Sequence, residues 1–168
     1  MEAFFLTLFP ICQFQLMSNI QWSVCSFSEL SRNQIFDMYY VRQEVFIMEQ
    51  NCLYQDCDEK DKESHHLMGY EEGVLVAYLR IVNPGVSYSE PSIGRVLTKH
   101  SSRKKGYGIE LMNRGIEFCS STYPSSNIRI SAQKYLLDFY HTLGFIEFGE
   151  EYLEDNIPHM EMLYTSEK

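Results

Sequence analysis

Arg103, Gly106 and Gly108 form the pattern R-x-x-G-x-G, and Lys104 and Lys105 lie inside it. A glycine has no Cβ, so its backbone can turn sharply and approach a ligand closely. The free N–H groups at the start of a helix attract anions, and nearby basic side chains strengthen that attraction. If a helix begins here, these residues form a binding site that suits a diphosphate.

The segments on either side of this pattern supply the strand and the helix that it needs. Residues 93–98 predict a strand, and residues 127–132 predict another. Between them, apolar residues recur at helical spacing, and the following Pro124 favours an end to the helix before it. These apolar residues are Ile109, Met112, Ile116 and Cys119. The glycine pattern is therefore expected at a strand-to-helix connection.

The rest of the chain predicts a mixture of helices and strands. Ser31 and Gln34 form a capping-box signal for a helix over residues 32–48. The other predicted elements are a polar loop at 51–64, hairpin strands at 65–70 and 74–82, a helix at 134–143, strands at 145–148 and 160–164, and a polar loop at 154–159.

The length and charge of the chain limit the classes of function. The 168 residues are enough for one domain with one sizeable core. A formal net charge of −9 repels nucleic-acid phosphates and anionic lipid, so we expect neither nucleic acid nor a membrane as a partner. Acidic residues cluster at 56–63 and at 147–155, where they either form solvated loops or face a cationic acceptor.

The cysteines and acidic residues do not predict a metal site. Five cysteines without a C-x-x-C pair are typical of free thiols in a reducing compartment, so we expect a cytoplasmic protein. Cys52 and Cys57 match no zinc spacing with the histidines that follow them. The acidic run 56–61 lacks the glycine of a calcium-binding loop. We therefore expect no metal.

The first residues are apolar but lack the features of a secretory signal. Glu2 stands where a signal has basic residues, and Pro10 interrupts the apolar run. The run is also shorter than the roughly 20 residues that cross a bilayer. Residues 1–16 are therefore expected to be an extension outside the fold, and residues 17–168 a single domain.

A second motif, F-Y-x-x-x-G-F at 139–145, follows the glycine pattern. A strand, a basic glycine turn, a helix, a strand and this motif together resemble the GNAT superfamily of acyl-CoA-dependent N-acyltransferases. Four further motifs are similar to its ElaA-type subgroup: R-x-E-V-F-x-x-E-Q at 42–50, I-G-R-V at 93–96, A-Q at 132–133 and E-D-x-I-P-H at 154–159. The resemblance covers about residues 20–164.

The resemblance implies an α/β (α+β) GNAT fold, in which a mixed, mostly antiparallel sheet opens into a V and is flanked by helices. It implies that acetyl-CoA enters the open side of the V, with β-strand backbone on the pantetheine and the glycine turn on the diphosphate. The residues expected to bind acetyl-CoA are Val96, Leu97, Thr98, Arg103, Lys104, Lys105, Gly106, Tyr107, Gly108, Gln133 and Tyr140. Gln133 replaces an asparagine that is common in the superfamily but retains an amide.

Transfer of an acyl group to an amine requires three further roles. A backbone N–H between Val96 and Thr98 is expected to stabilise the oxyanion. Tyr140 is either a core aromatic or the acid that protonates the leaving thiolate, and the resemblance favours the acid. The reference pKa of a phenol, about 10, lies close to that of a thiol.

The third role is that of the base. Some GNAT enzymes carry a glutamate on the strand before the glycine turn, where this chain has Ser92. The candidates for the base are His159, Glu161, Glu49 and His66. Of these, His159 and His66 have reference pKa values near neutrality, and we assign His159 to catalysis. The alternative is that the proton leaves through water.

The acceptor site is expected to involve Glu49, His66, Arg95 and Glu154. Arg42, Arg80 and Arg95 lie in apolar segments, where a buried charge needs a partner. Structural ion pairs, Arg42 with Glu44 or Glu49 and Arg95 with an acidic neighbour, are the expected explanation. A clamp for an anionic substrate at Arg95 is the alternative.

The sequence therefore predicts an acetyl-CoA-dependent N-acetyltransferase that acts on a primary amine of a small molecule. A protein lysine or N-terminal amine is an alternative acceptor. A non-catalytic acyl-CoA-binding sensor is the alternative from another class of function. The oligomeric state is left open, and a homodimer is one compatible assembly.

Overall fold

The computed structural model describes residues 20–165. The predicted extension, residues 1–16, lies outside the described residues and stays a prediction. The strands, in chain order, are β1 (Ile20–Ser26), β2 (Ser64–Glu71), β3 (Val74–Val82), β4 (Ser92–Thr98), β5 (Ile128–Gln133), β6 (Phe145–Glu147), β7 (Tyr152–Glu154) and β8 (Ile157–Tyr164). The α-helices are α1 (Arg32–Arg42), α2 (Tyr107–Thr122) and α3 (Leu137–Thr142). A π-helix, Gln43–Glu49, continues α1, and 3-10 turns lie at Phe27–Glu29, Glu59–Asp61, His100–Ser102 and Lys134–Leu136.

All these strands form one sheet in the order β1-β2-β3-β4-β5-β8-β6, with β7 also paired to β8. Every described strand pair is antiparallel except β4 and β5. These two parallel strands are in register only at Ser92 and Arg129, so they separate beyond that point. The mixed, mostly antiparallel sheet that opens into a V is confirmed.

The central strand β3 is buried on both faces of the sheet, as its long apolar run requires. Leu79 and Ile81 face one side, where they pack with α2 and α3. Tyr78 and Leu75 face the other side, where they pack with α1. The two cores place α1 on one face of the sheet and α2 and α3 on the other.

The first helix begins as predicted. The Ser31 hydroxyl accepts a hydrogen bond from the Gln34 backbone N–H, and the Gln34 side chain accepts one from the Ser31 N–H. The helical path is continuous to Glu49, but its last seven residues are wound as a π-helix. Such wider turns are frequent at functional sites, and this one ends beside the opening of the V.

The predicted loop at 154–159 is wrong, because this segment forms a hairpin. β7 ends at Glu154 and β8 begins at Ile157, with Asp155 and Asn156 in the turn between them. Both turn residues have positive φ, 49° and 64°, as a tight two-residue hairpin requires. The hairpin places His159 within a regular strand rather than in a loop.

Candidate active site

The V between β4 and β5 forms a cleft of about 600 Å³. Residues 92–98 of β4 line one wall, and Ser131 and Gln133 of β5 line the other. The end of the π-helix, the turn after β4, α3 and the β7–β8 hairpin complete its border. The cleft therefore brings together residues that are widely separated in the sequence.

The β4 wall presents backbone groups that no other described strand pairs with on the β5 side. Because β4 and β5 pair only at Ser92, residues 94–98 have no partner on that side among the strands within residues 20–165. A β-bulge interrupts the other side, since both Arg95 and Val96 lie opposite Leu79. Unpaired strand edges bind extended ligands through their N–H and C=O groups. The expected positions Val96, Leu97 and Thr98 all line the cleft.

The start of α2 supplies further backbone donors beside this wall. Gly106 precedes the helix with a φ of 84°, a conformation that strongly favours glycine. The first hydrogen bond of the helix runs from the Glu110 N–H to the Gly106 carbonyl, so earlier N–H groups have no intrahelical partner. No side chain in the described chain caps this end of the helix. A Cβ at Gly106 would meet no atom of residues 20–165 within 4 Å, so the space beside this glycine is open, although Gly106 itself does not line the cleft.

The side chains of residues 103–108 contact different parts of the protein. Arg103 lines the cleft, donates through Nε to the Thr98 carbonyl at 3.2 Å and forms an ion pair with Glu49. Gly108 also lines the cleft. Lys105 and Tyr107 instead bind Glu71, at 2.9 and 2.6 Å, away from the cleft.

Their contact with Glu71 has electrostatic consequences. The hydrogen bond from Tyr107 and the charge of Lys105 lower the pKa of the Glu71 carboxyl. The same hydrogen bond raises the pKa of Tyr107 to about 12. Lys104 is exposed, with a positive φ of 65°, and does not line the cleft. Lys105, Tyr107 and Lys104 can thus contribute to an anion site only through backbone groups or long-range charge.

Tyr140 projects from α3 and borders the cleft. The side chain is buried, with a relative exposure of 6%. Within residues 20–165 its hydroxyl makes no hydrogen bond to protein, and burial raises the pKa of the phenol. The hydroxyl therefore stays protonated, as a proton donor must, although its pKa matches that of a thiol less closely than the reference value implies.

His159 lies in β8 opposite Gln133 of β5 and is also buried at the edge of the cleft. Its Nδ1 lies 2.8 Å from the Ile157 carbonyl. A carbonyl can only accept a hydrogen bond, so Nδ1 carries the proton and Nε2 holds the free lone pair of the neutral ring. The Tyr152 ring stacks on the imidazole at 6.0 Å between centroids. These contacts fix the tautomer that a proton acceptor needs.

One contact joins opposite sides of the cleft, and another lies along its β5 side. The Gln133 amide donates to the Gln50 side chain at 3.4 Å, which links β5 to the end of the π-helix. Glu154, at the end of β7, accepts a hydrogen bond from Ser131 at 3.2 Å and has no cationic partner in the described chain. Both glutamines and Glu154 line the cleft. The Glu154 carboxylate therefore presents an uncompensated negative charge to it.

Arg95, as expected, pairs with an acidic neighbour, but Arg42 has other partners than predicted. Arg42 is fully buried and binds Asp56 and Asp61, at 2.7 and 2.8 Å, rather than Glu44 or Glu49. Arg80 binds Asp58 and Asp61, and Arg95 binds Asp56 at 2.7 Å. Burial alone would raise the pKa of Asp61, but the two arginines lower it below its ordinary value.

The acidic block at 56–61 is therefore largely structural rather than a solvated loop. Its carboxylates fix the segment that follows the π-helix against β3 and β4. Sequence reasoning missed these roles, and it missed Gln50, Tyr54, Ser131 and Tyr135 on the lining of the cleft. The sequence did contain a signal for a role of Gln50, because this residue ends the motif at 42–50.

His66 does not line the cleft, so it is not placed to contact the acceptor as expected. Its ring is fully buried between β2 and the loop, with Nδ1 2.8 Å from the Tyr78 hydroxyl and Nε2 3.0 Å from the Asp61 carbonyl. Burial lowers the pKa of His66 to about 4. Both nitrogens are occupied, so this histidine supports the fold and has no lone pair for an acceptor.

Between residues 20 and 165 there is no group of three or more His, Cys, Asp or Glu side chains that could hold a metal ion. Within the same range, no helix is both long and apolar enough to span a membrane.

Comparisons with known proteins agree with this geometry. The sequence matches the family model described as "Acetyltransferase (GNAT) domain" over residues 27–166. A UPF0039 protein of Synechocystis, sll0451, is 40% identical over 146 residues, which are 86% of this chain and 95% of that one. Protein ElaA of Escherichia coli K12 is 37% identical over 145 residues, which are 85% of this chain and 95% of that one.

Solved structures give the same result. The crystal structure of Escherichia coli ElaA superposes with a TM-score of 0.81, covering 86% of this chain and 98% of that one at 36% identity. That of an acyl-CoA N-acyltransferase from Pseudomonas aeruginosa superposes with a TM-score of 0.83, covering 87% and 99% at 34% identity. An open sheet edge, an uncapped helix start and these similarities together show that the chain belongs to the GNAT family of acyltransferases, with ElaA-type relatives.

Proposed function

We propose that the protein is an acetyl-CoA-dependent N-acetyltransferase that transfers an acetyl group to the primary amine of a small molecule. One observation carries the proposal. The unpaired edge of β4, Arg103 at the start of the glycine turn, Tyr140 and the free Nε2 of His159 all border the same cleft. These groups can support direct transfer from a thioester to an amine without a covalent intermediate on the protein.

The cleft would hold acetyl-CoA along β4. Backbone groups of Val96, Leu97 and Thr98 would bind the pantetheine, and the Gln133 amide would add a hydrogen bond from β5. The N–H groups at the start of α2 and the Arg103 guanidinium would bind the diphosphate. Lys104 and Lys105 would add only long-range positive charge. Acetyl-CoA supplies an activated thioester carbonyl.

His159 would accept the first proton of the acceptor. An amine attacks only in its neutral form, and Nε2 holds a lone pair because Nδ1 donates to the Ile157 carbonyl. Glu154, which has no cationic partner among the described residues, would attract the ammonium form toward this nitrogen. The proton then passes to solvent.

Backbone N–H groups at the β4 bulge would stabilise the negative charge on the carbonyl oxygen, since fixed amide dipoles act strongly in a cleft with little water. The N–C bond forms and the C–S bond breaks. Tyr140, which keeps its proton until sulfur becomes negative, would donate it to the leaving thiolate. The nitrogen loses two protons in total, one to solvent and one that ends on the thiol by way of Tyr140.

The limited size of the cleft supports a small acceptor. The Gln50–Gln133 contact crosses a cleft of about 600 Å³, and the Arg103–Glu49 ion pair lies at its border. An extended peptide would have to displace these contacts. We assign Arg95 and Glu154 to the acceptor site, and we assign Glu49 to the cofactor side because of its ion pair with Arg103. The free thiols of the described Cys25, Cys52, Cys57 and Cys119 support a cytoplasmic location.

The experiment is to incubate the full chain with acetyl-CoA and a panel of small amines, and to follow free thiol. A lysine-containing peptide and a free peptide N-terminus serve as the competing acceptors. We expect thiol release that depends on the small amine. Release with peptides alone would favour a protein acetyltransferase, and cofactor binding without release would favour the sensor.

A further inference from the structure

Arg95 occupies an unusual backbone position in the cleft wall. Its φ of 50° lies in the left-handed region, which is unfavourable for a residue with a side chain. It is the first of the two β4 residues in the bulge opposite Leu79. A bulge changes the direction of a side chain relative to a regular strand. Arg95 lines the cleft, and the bulge sets the direction of its guanidinium.

The contacts of Arg95 fix its guanidinium through Nε and through the aromatic rings beside it. They leave its terminal edge, formed by Nη1 and Nη2, unused. Nε donates to the Asp56 carboxylate at 2.7 Å, and the guanidinium lies over the rings of Phe46 and Tyr54, at 6.0 and 5.5 Å from their centroids. In the described part of the chain, Nη1 and Nη2 donate no hydrogen bond to protein. The side chain is 22% exposed. Two parallel N–H donors therefore remain available.

The other arginines of this ion-pair network differ. Arg42 donates from Nε, Nη1 and Nη2 to Asp56 and Asp61, and its side chain is fully buried. Arg80 donates from both Nη groups to Asp58 and Asp61. Only Arg95 among the three combines a fixed Nε with an unused terminal edge. This arrangement is what a bidentate carboxylate-binding arginine needs.

The charges on this wall also favour an anion. Asp56 is shared between Arg42 and Arg95, so it neutralises each of them only in part. Lys60 also lines the cleft and has no acidic partner within the described residues. Across the cleft, Glu154 and the free Nε2 of His159 favour an ammonium group. The acceptor side therefore has a positive wall and a negative wall.

We infer that the acceptor is an amino acid whose carboxylate binds the Nη1 and Nη2 groups of Arg95 while its amine faces His159. The inference rests on the proposed function and adds the substrate class. A diamine or polyamine would place its second cation against Arg95 and Lys60, which would repel it. A simple monoamine would leave the Arg95 donors without a partner.

The test compares matched acceptors with the full-length wild-type protein. Each of the common amino acids is offered with acetyl-CoA, next to its carboxamide and its decarboxylated amine, and thiol release gives kcat/KM. The amide keeps the size of the acceptor and removes the charge of the carboxylate. It also has a larger neutral fraction of amine at a given pH, so a preference for the amino acid cannot come from amine protonation. We expect the preferred amino acid to exceed its amide by about 10- to 100-fold, the range for hydrogen bonds to a charged group.

Variants locate the preference on Arg95. Arg95→Asn keeps a residue that tolerates positive φ and removes the guanidinium, so the ratio between amino acid and amide should fall toward one, mainly through KM for the amino acid. Arg95→Lys keeps the charge without the paired donors and should give an intermediate ratio. Arg32→Asn removes an exposed arginine that does not line the cleft, and should leave the ratio unchanged.

The outcomes separate this inference from the proposed function. Turnover of amides or amines as fast as of amino acids overturns the substrate class and leaves an N-acetyltransferase. An unchanged ratio in Arg95→Asn overturns the role of Arg95, and the wild-type comparison stands even if this variant is unstable. No thiol release from any acceptor overturns the inference and the proposed function together.

Discussion

The Arg103 guanidinium and the Glu49 carboxylate form an ion pair, with Nη1 2.5 Å from Oε1. Arg103 follows β4, Glu49 ends the π-helix, and both side chains line the cleft. The residue best placed to bind a diphosphate is thus held by a carboxylate that must compete with that anion. The pair connects cofactor binding to the position of the π-helix.

Replacing Glu49 should strengthen cofactor binding. In Glu49→Gln, Arg103 no longer has an anionic partner and the repulsion between Glu49 and the diphosphate is lost, so the Kd for CoA should fall severalfold. Arg103→Gln should raise it about tenfold. Calorimetric titration measures both. Glu44→Gln, which breaks the neighbouring ion pair with Lys99, is the control, and weaker CoA binding in Glu49→Gln would contradict the competition.

Removing the Tyr140 hydroxyl should slow turnover without unfolding the protein. The hydroxyl makes no hydrogen bond to protein in the described chain, so Tyr140→Phe should retain the melting temperature. Loss of a general acid should lower kcat by about 100-fold or more at saturating substrate. Tyr40→Phe changes an exposed tyrosine outside the cleft and is the control. An unchanged kcat in Tyr140→Phe would remove this residue from the mechanism.

His159→Gln should lose the proton acceptor. We expect kcat/KM to fall about 100-fold near neutral pH. The loss should shrink as the pH rises, because the acceptor amine then loses its proton to solvent without help. A pH–rate profile of both proteins measures this. A deficit that stays constant with pH would indicate a structural role for His159.

His66 should make the fold sensitive to acid. Burial lowers its pKa from 6.5 to about 4, so between these values the unfolded chain binds more protons than the folded one. His66 therefore does not reduce the free energy of unfolding above pH 6.5, but it reduces this free energy as the pH falls from 6.5 toward 4. The loss should be about 2 kcal/mol at pH 5.

Urea unfolding at pH 7 and pH 5 tests the role of His66. In His66→Gln the difference in unfolding free energy between the two pH values should shrink by that amount, whatever the absolute stability of the variant. His100→Gln, at an exposed position, should behave as the wild type. Equal losses in all three proteins would show that other groups cause the acid sensitivity.

The strand, turn and helix from β4 to α2 could be predicted because independent local signals agree there. Glycines, basic residues, an apolar helical period and Pro124 all indicate the same boundaries. The loop predicted at 154–159 is wrong, because Pro158 and the polar residues favour a loop more strongly than Asp155 and Asn156 indicate a hairpin turn. Proline is tolerated near the start of a strand, where it removes few ladder hydrogen bonds.

Long-range partners could not be predicted from residue types. Asp56 lies 14 residues from Arg42 and 39 from Arg95 in the sequence, and only the fold brings them together. His65 and His66 are adjacent, so they face opposite sides of β2, but the sequence does not say which side reaches a cleft. The sequence therefore identified the cofactor turn more fully than the acceptor site.

The central claim is that the cleft transfers an acetyl group to an amine. The most direct measurement incubates the full chain with isotopically labelled acetyl-CoA and a preferred amine, then quantifies free thiol and the labelled amide by mass spectrometry. We predict one N-acetyl product for each thiol released, at rates that fall in Tyr140→Phe and His159→Gln. Saturable binding of acetyl-CoA with no labelled amide from any amine would contradict the claim.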